Sequence, residues 1–489
     1  MELSQQKTMP FGPIMLAIVC GSFLAILGIS TINVALPVLM EDFGSPLNAA
    51  QWTLTGFMLA TGIVAPLCGY LSDKFSAKLV YGISLLGFTL MSMACALAWN
   101  MESLIAFRIL QGAFSGIVMP TTMTIIYQVI PRERQAFALS LWSLCAMLAP
   151  AIGPTLAGWL VERFDWRWLF YINIPFGVLA TLLAFRLIPF YRVGRTPSFD
   201  GIGFVTALAA STALLLAFSE GNTWGWASIQ IVGLIAFGFV MLGAFIWREL
   251  TTEHPLLNLS VFKEFRYTLS LILSCIVTIS LYSGTYLTPL FLQNIQRLSA
   301  MDTGLILLPA SLAMAACMPL TGALYKRVGP VALIVSGVIL MGVGTYAMGH
   351  LHLDTSKAYI MFWMAVRNVG ISLATMPATN AGMEVIPRVL SGHASSANNW
   401  IRQGFGSFSI GLFTSLLVAR MTVHSAELAK GAGNAAAPDA KQAALIQAQS
   451  FTSSVNDVYF VATVIVLLAL PLTFLLLRRK QPAALPVKA

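Results

Sequence analysis

Three arginines, Arg108, Arg367 and Arg402, fall inside long apolar stretches of the chain. A cation at that depth costs at least about 2.5 kcal/mol unless it finds acceptors or a cavity. Each therefore either serves a purpose, or bonds free carbonyls and reaches outward along its flexible stem. The acids lie elsewhere: through the first half Glu41, Asp42, Asp73, Glu102, Glu133, Glu162 and Asp165 all fall in loops or at the ends of apolar stretches, and Glu220 and Glu384 lie near such ends too. Embedded cations without embedded anions make a path through the middle of the molecule positive. No GxxxxGK[ST] phosphate loop, metal-spaced His/Cys cluster or nucleophile elbow is present. Those absences count against ATP-driven transport within this chain and against hydrolytic catalysis, and neither a metal nor a cofactor is expected.

The elements that carry these arginines are membrane spans. Of 489 residues, 57% are hydrophobic and only 10% charged, whereas about a quarter of a soluble domain is charged. Windows of about 20 residues give about fourteen spans, so the expected class is an all-α polytopic membrane protein. The first spans are read at about 12–36, 51–71, 79–98, 104–127, 136–160 and 169–189. Two more fall at about 202–218 and 229–248, and the last at about 269–292, 304–325, 331–348, 359–383, 400–420 and 459–477.

The net charge of +9 is carried mostly by short loops and is a topology signal, with no nucleic-acid partner implied. Lys74, Lys78, Arg132, Arg134, Arg192, Arg195, Lys263, Arg266, Lys326, Arg327, Arg388 and Arg478 share the side of Lys7. By the positive-inside rule that side, with both termini, is cytoplasmic. The six cysteines all lie in apolar runs and read as small packing residues. Trp99, Trp166, Trp168 and Trp224 read as interfacial anchors.

The chain repeats itself. Met119-Pro120-Thr121-Thr122 followed by Val129-Ile130-Pro131-Arg132 returns as Met376-Pro377-Ala378-Thr379 followed by Val385-Ile386-Pro387-Arg388. Each copy follows one of the embedded arginines, Arg108 or Arg367. Two parallel bundles of about six helices each are expected, with two linker helices between them, and parallel halves of this kind belong to alternating-access transporters. The expected division is a tail at 1–11, a first bundle at 12–190, a linker at 191–266, a second bundle at 267–477 with an external loop, part helix and part flexible, at 421–457, and a tail at 478–489. One span, Leu141 to Trp159, carries Pro150, Gly153, Pro154 and Gly158 and reads as a bent membrane helix with a bare face, hence a hinge.

These residues resemble the fourteen-helix drug:proton antiporter family of the major facilitator superfamily, and within it the EmrB-type exporters. The resemblance rests on INVALP (Ile32 to Pro37), GYLSDK (Gly69 to Lys74), RILQG (Arg108 to Gly112), the proline-glycine span, DWRWLFYINIPFG (Asp165 to Gly177) and NNWIRQGFGSFSIG (Asn398 to Gly411). It implies the major facilitator fold and export of amphipathic small molecules across the cytoplasmic, or inner, membrane. It implies a gate element at Gly69, Asp73 and Lys74, a conformational motif at Gly153, Pro154 and Gly158, and a coupling role for Arg108. In a double-membraned cell it also implies a periplasmic adaptor and an outer-membrane channel as partners. Ser76 and Ala77 stand where the family has a glycine and a basic residue.

Gly28 occupies the first-helix position at which the family usually carries an aspartate. Glycine cannot titrate, so a positive path should favour neutral or anionic amphiphiles. The alternative is a conventional antiporter for lipophilic cations whose proton site has moved. Polar and aromatic candidates for the substrate lining are Ser30, Thr31, Asn33, Trp52, Met119, Tyr282, Tyr286, Arg367, Asn380, Asn399 and Arg402, since adaptable pockets use such surfaces with few polar anchors. An enzyme would need clustered titratable residues in a cavity, which the sequence does not offer.

Overall fold

The computed structural model describes residues 11–65, 67–190, 200–252, 255–387, 390–431 and 440–476. Among them the chain is helical, without strands. In the first half the helices are α1 (Phe11–Ser30), α2 (Ile32–Asp42), α3 (Leu47–Ala50), α4 (Trp52–Val64), α5 (Leu67–Phe75), α6 (Ala77–Ala96), α7 (Met101–Val129), α8 (Arg132–Arg163), α9 (Trp168–Tyr171) and α10 (Asn173–Leu187). The linker holds α11 (Gly201–Trp224) and α12 (Ile229–Thr251). The second half holds α13 (Phe265–Asn294), α14 (Ala300–Val328), α15 (Pro330–Met348), α16 (Lys357–Met383), α17 (Ser391–Gly431), α18 (Ala440–Leu467) and α19 (Ala469–Leu475).

Eleven helical stretches among the described residues are long and apolar enough to cross a membrane. The other stretches that hydropathy singles out, α4 with α5, α8, and α16, are helical as well. Polar residues between the apolar runs start the helices. Asn100 accepts from the Ser103 amide at 2.8 Å in a capping box that opens α7. Ser299, Ser356 and Ser228 cap α14, α16 and α12 in the same way, each satisfying an amide that has no partner within its helix.

The two halves are built on one plan. In the first, α1 packs on α8 and α10, α6 on α10 and α7, and α4 on α7. In the second, α13 packs on α17 and α18, α15 on α18 and α16, and α14 on α16. The pairings match helix for helix. Between halves the contacts run crosswise, α8 on α14 and α4 on α17.

Both seams are cleared by glycine from each side. A Cβ at Gly158 would lie 2.5 Å from Met301 Cα, and one at Gly304 would lie 2.8 Å from Thr155 Cα. At the other seam a Cβ at Gly62 would lie 2.8 Å from Gln403 Cβ, and one at Gly406 would meet Met58 and lie 2.8 Å from the Tyr282 ring. In lipid, association is driven by such close packing and not by apolar burial alone.

The cores show where the halves are joined. One apolar cluster crosses between them at the expected external end, taking Leu36, Leu54, Met58, Leu160, Tyr286, Leu290, Ala300 and Phe413 from both halves. At the opposite end the cores are separate, one containing Ile18, Tyr81 and Ile126 and the other Leu273, Val338 and Ala374. The hydrogen bonds described between the halves lie on the joined side: Thr155 Oγ1 to Gly304 O at 3.1 Å, Gln293 Nε2 to Val34 O at 2.8 Å, and Ser407 Oγ to Thr55 O at 3.0 Å.

Linker helix α11 lies over the α4–α17 seam, packing on both helices. Leu215 joins Leu59 and Ile63 of α4, and Phe218 meets Phe408 of α17 with ring centroids 4.6 Å apart. At its expected cytoplasmic end the linker is pinned by Asp200, which accepts from Arg248 Nε at 3.1 Å, and by Glu249, which accepts from the Leu257 amide at 2.9 Å.

The 421–457 stretch is helical where it is described: α17 continues to Gly431 and α18 begins at Ala440, with residues 432–439 outside the described set. Its alanines favour helix once hydropathy falls away, and Asp457 ties the two helices by accepting from Arg420 at 2.5 Å and from His424 at 2.8 Å. Trp166 is not an interfacial anchor. It is buried, with its indole donating to Asp42 at 2.8 Å and Arg167 stacked at 4.4 Å.

The turns that end α5 and α14 correspond, but they are made differently. Gly329 takes φ 84° at the second, and Ser76 takes φ 90° at the first. A side chain there stores strain of order 1 to 3 kcal/mol, partly offset by the chain entropy a glycine would lose. Ser76→Gly should therefore raise stability by about 1 kcal/mol, seen as a higher melting temperature in detergent, whereas Gly329→Ala should lower it.

Candidate functional site

Arg108 lies inside the first half, 1% exposed. Its Nε donates to the Thr53 carbonyl of α4 at 3.0 Å and its Nη1 to Gln111 Oε1 at 2.7 Å. Gln111 in turn donates to Ser92 Oγ of α6 at 2.6 Å. The guanidinium carbon sits 4.0 Å from the centre of the Phe57 ring, which supplies a cation–π contact. Gly112 makes this reach available: a Cβ there would lie 2.9 Å from Phe57 Cα, so α7 and α4 meet backbone to backbone. All these acceptors are neutral.

Arg367 repeats the arrangement in the second half. It is fully buried, and its Nη2 donates to the Leu281 carbonyl at 3.3 Å and to Ser283 Oγ at 3.1 Å. Its Nη1 donates to Asn368 Oδ1 at 3.3 Å, and the bare Gly284 leaves it room. Both arginines brace a bundle from within; neither faces lipid.

Arg402 on α17 is different. It is half-buried and makes no hydrogen bond or ion pair to any described residue. Tyr282 and Cys275 of α13 lie close enough to act on it electrostatically. Gly406, one turn further along α17, packs on Tyr282 and on Met58 of α4. Asn399, one turn before, is half-buried, and Tyr282 packs against the edge of the shared core. Residues of both halves therefore meet here: Met58 from the first, and Tyr282, Asn399 and Arg402 from the second.

The other sequence candidates are spread more widely. Met119 and Asn380 are half-buried on the corresponding helices α7 and α16. Thr31 is buried, donating to Leu27 O at 3.2 Å at the break between α1 and α2. Asn33 is buried with Oδ1 unpartnered, and Ser30's side chain lies outside the described residues. The Tyr286 hydroxyl is locked to Thr414 Oγ1 at 2.5 Å. Trp52 turns towards the linker, its indole donating to Glu220 Oε1 of α11 at 3.3 Å.

Of the gate residues, Gly69 lies in α5 and the side chain of Asp73 lies outside the described set. Lys74 is exposed and donates to the Tyr70 hydroxyl at 3.0 Å. Gly153 is buried, Pro154 half-buried, and Gly158 lies against α14. At Gly28 a Cβ would meet only the Phe88 ring, at 3.3 Å.

Sequence reasoning missed Gln111, although the Arg-x-x-Gln spacing places both side chains on one helix face. It also missed the buried carboxylates Asp200, Glu249 and Glu264, which lie in and around the linker and not between the halves.

The family model described as Major Facilitator Superfamily matches residues 18–410. The chain is similar to the "Uncharacterized MFS-type transporter YcnB" of Bacillus subtilis (strain 168), 33% identical and covering 98% of each chain. It is 30% identical to the "Multidrug transporter protein MdtP" of the same organism, over 82% of this chain and 74% of that one. Among solved structures it resembles a bacterial homolog of the human lysosomal transporter Spinster, with a TM-score of 0.64, 14% identity, and coverage of 96% of this chain and 98% of that chain.

The Arg108 brace predicts a stability effect. Gln111→Leu removes an acceptor from a buried cation and should destabilise by about 2 kcal/mol, read as a lower melting temperature in detergent.

Proposed function

Because this chain belongs to the Major Facilitator Superfamily, we propose that it exports amphipathic small molecules across the cytoplasmic membrane, its two halves rocking to expose the space between them to one side and then the other. Its multi-pass helical build and its likeness to a multidrug transporter support drug efflux as the general activity. The observation that carries the mechanism is the uneven joining of the halves, with a shared core at one end and separate cores at the other. Two crosswise seams of bare backbone let the bundles shift without unpacking. In this reading the chain has fourteen spans with both termini cytoplasmic, the halves and linker divide as the repeat suggests, and the Gly153–Gly158 stretch flexes against α14. The fourteen-helix subfamily, and with it an adaptor and outer-membrane channel, rests on the sequence resemblance alone.

The favoured substrates are neutral or anionic. The half-buried group between the halves includes a guanidinium and, among the described residues, no buried carboxylate. An anion leaving a negative interior gains about 2.3 kcal/mol per charge per 100 mV, so its export needs no titrating acid at Gly28.

Proteoliposomes loaded with matched anionic, neutral and cationic dyes test this. With an interior-negative potential and no pH difference, the anionic dye should leave fastest; release of the cation alone, or no movement without a pH gradient, would overturn the charge preference. Gly28→Asp, whose Cβ would meet only the Phe88 ring, should add export of lipophilic cations, measured as a widened resistance profile.

A further inference from the structure

The three embedded arginines of this fold are treated in two ways. Arg108 and Arg367 each donate to carbonyl, amide or hydroxyl acceptors within their own bundles, with one nitrogen apiece, Arg108 Nη2 and Arg367 Nε, left over. Arg402 is given no acceptor among the described residues, although it sits about three turns into α17 and is only partly exposed. A guanidinium carries five N–H donors in a planar fork that matches an oxyanion. Leaving that fork unpaired at membrane depth is costly, and the fold meets the same cost elsewhere by supplying acceptors. Here the acceptor has to come from outside the chain.

The surroundings define its chemistry. The Tyr282 hydroxyl lies close enough to act on the guanidinium, Asn399 stands one helical turn before it on α17, and both side chains can donate hydrogen bonds. Met58 and the edge of the shared core lie one helical turn away, where Gly406 brings α17 against α4 and α13. Charged and polar donors thus border an adaptable apolar surface of methionine and aromatic side chains, the pairing that an amphiphile with a small head and an apolar body requires. Met58 belongs to the opposite half, so a molecule seated here touches both rocking bodies.

We propose that Arg402, flanked by Tyr282 and Asn399, is the head-group site of this transporter and receives the oxyanion of an amphiphilic carboxylate or sulfonate. The assignment rests on the export reading above and names its substrate class. Arg402 acts by binding the head, and Tyr282 holds the same head through its hydroxyl while its ring faces the apolar body.

The test uses the full-length protein in nanodiscs of a neutral phospholipid, so that no anionic lipid head competes. The probes are a dansyl-labelled fatty acid, its uncharged methyl ester, and a dansyl-labelled quaternary ammonium of equal chain length. A charge-assisted pair predicts that the acid binds about tenfold or more tighter than the ester. Arg402→Gln should bring that ratio close to unity, and Arg402→Lys should keep part of it, because the charge remains while the fork is lost. Tyr282→Phe should lower the ratio without abolishing it. A ratio unchanged in Arg402→Gln overturns the proposal, as does a wild-type protein that prefers the quaternary ammonium. If Arg402→Gln does not fold, the Arg402→Lys and Tyr282→Phe ratios decide, and wild-type ratios in both of them overturn the site. Export of the ester from proteoliposomes is measured alongside: with it intact and the ratio unmoved, the head-group site fails while the export reading stands. Without any export, the export reading fails.

Discussion

Close approach of bare backbone at two crosswise seams is the constraint on which the rest of the structure depends. Gly158 and Gly304 bring α8 onto α14, and Gly62 and Gly406 bring α4 onto α17. Lipid offers helices little apolar reason to associate, so contact distance decides which faces meet. Small residues at these positions give each bundle a smooth track against the other, while the shared core beside Leu290 and Ala300 holds them together at one end only. The same glycines bring Met58 next to Tyr282 and so place residues of both halves beside Arg402.

Charge inside the bundles follows a second rule. A buried cation persists where most of its donors are used, and Arg108 and Arg367 are held by neutral oxygens of their own and neighbouring helices. That makes them internal braces of their own bundles. The buried carboxylates were kept to the linker, where Asp200 has Arg248 and Glu249 has a backbone amide. Positive charge and negative charge are thereby separated along the chain, and the first helix, with Gly28, carries none at its usual acidic position.

What the sequence made legible was whatever depends on local pattern. Apolar run length marked the spans, and the Met-Pro and Ile-Pro-Arg repeats marked two similar halves, whose helix pairings agree one for one. The cluster of Tyr282, Asn399 and Arg402 was legible as residue types but not as a group, since its members come from different helices. Partners that are backbone carbonyls, such as Thr53 O, leave no trace in residue identity. Trp52 shows the same limit: an indole reads alike whether it meets a substrate or, as here, Glu220 of the linker. At the 421–457 stretch falling hydropathy marked the end of a span, and alanine keeps the helix going beyond it to Gly431.

The linker breaks the symmetry of the two halves. Helix α11 rests on both α4 and α17 and is fastened to the first half through Trp52 and Asn48 and to the second through Phe218. At the other seam α2 of the first half packs on both α8 and α14, so each seam is spanned by a third helix, one from the linker and one from the first bundle. If the halves rock as proposed, α11, held by side chains of both, has to shift with every exchange.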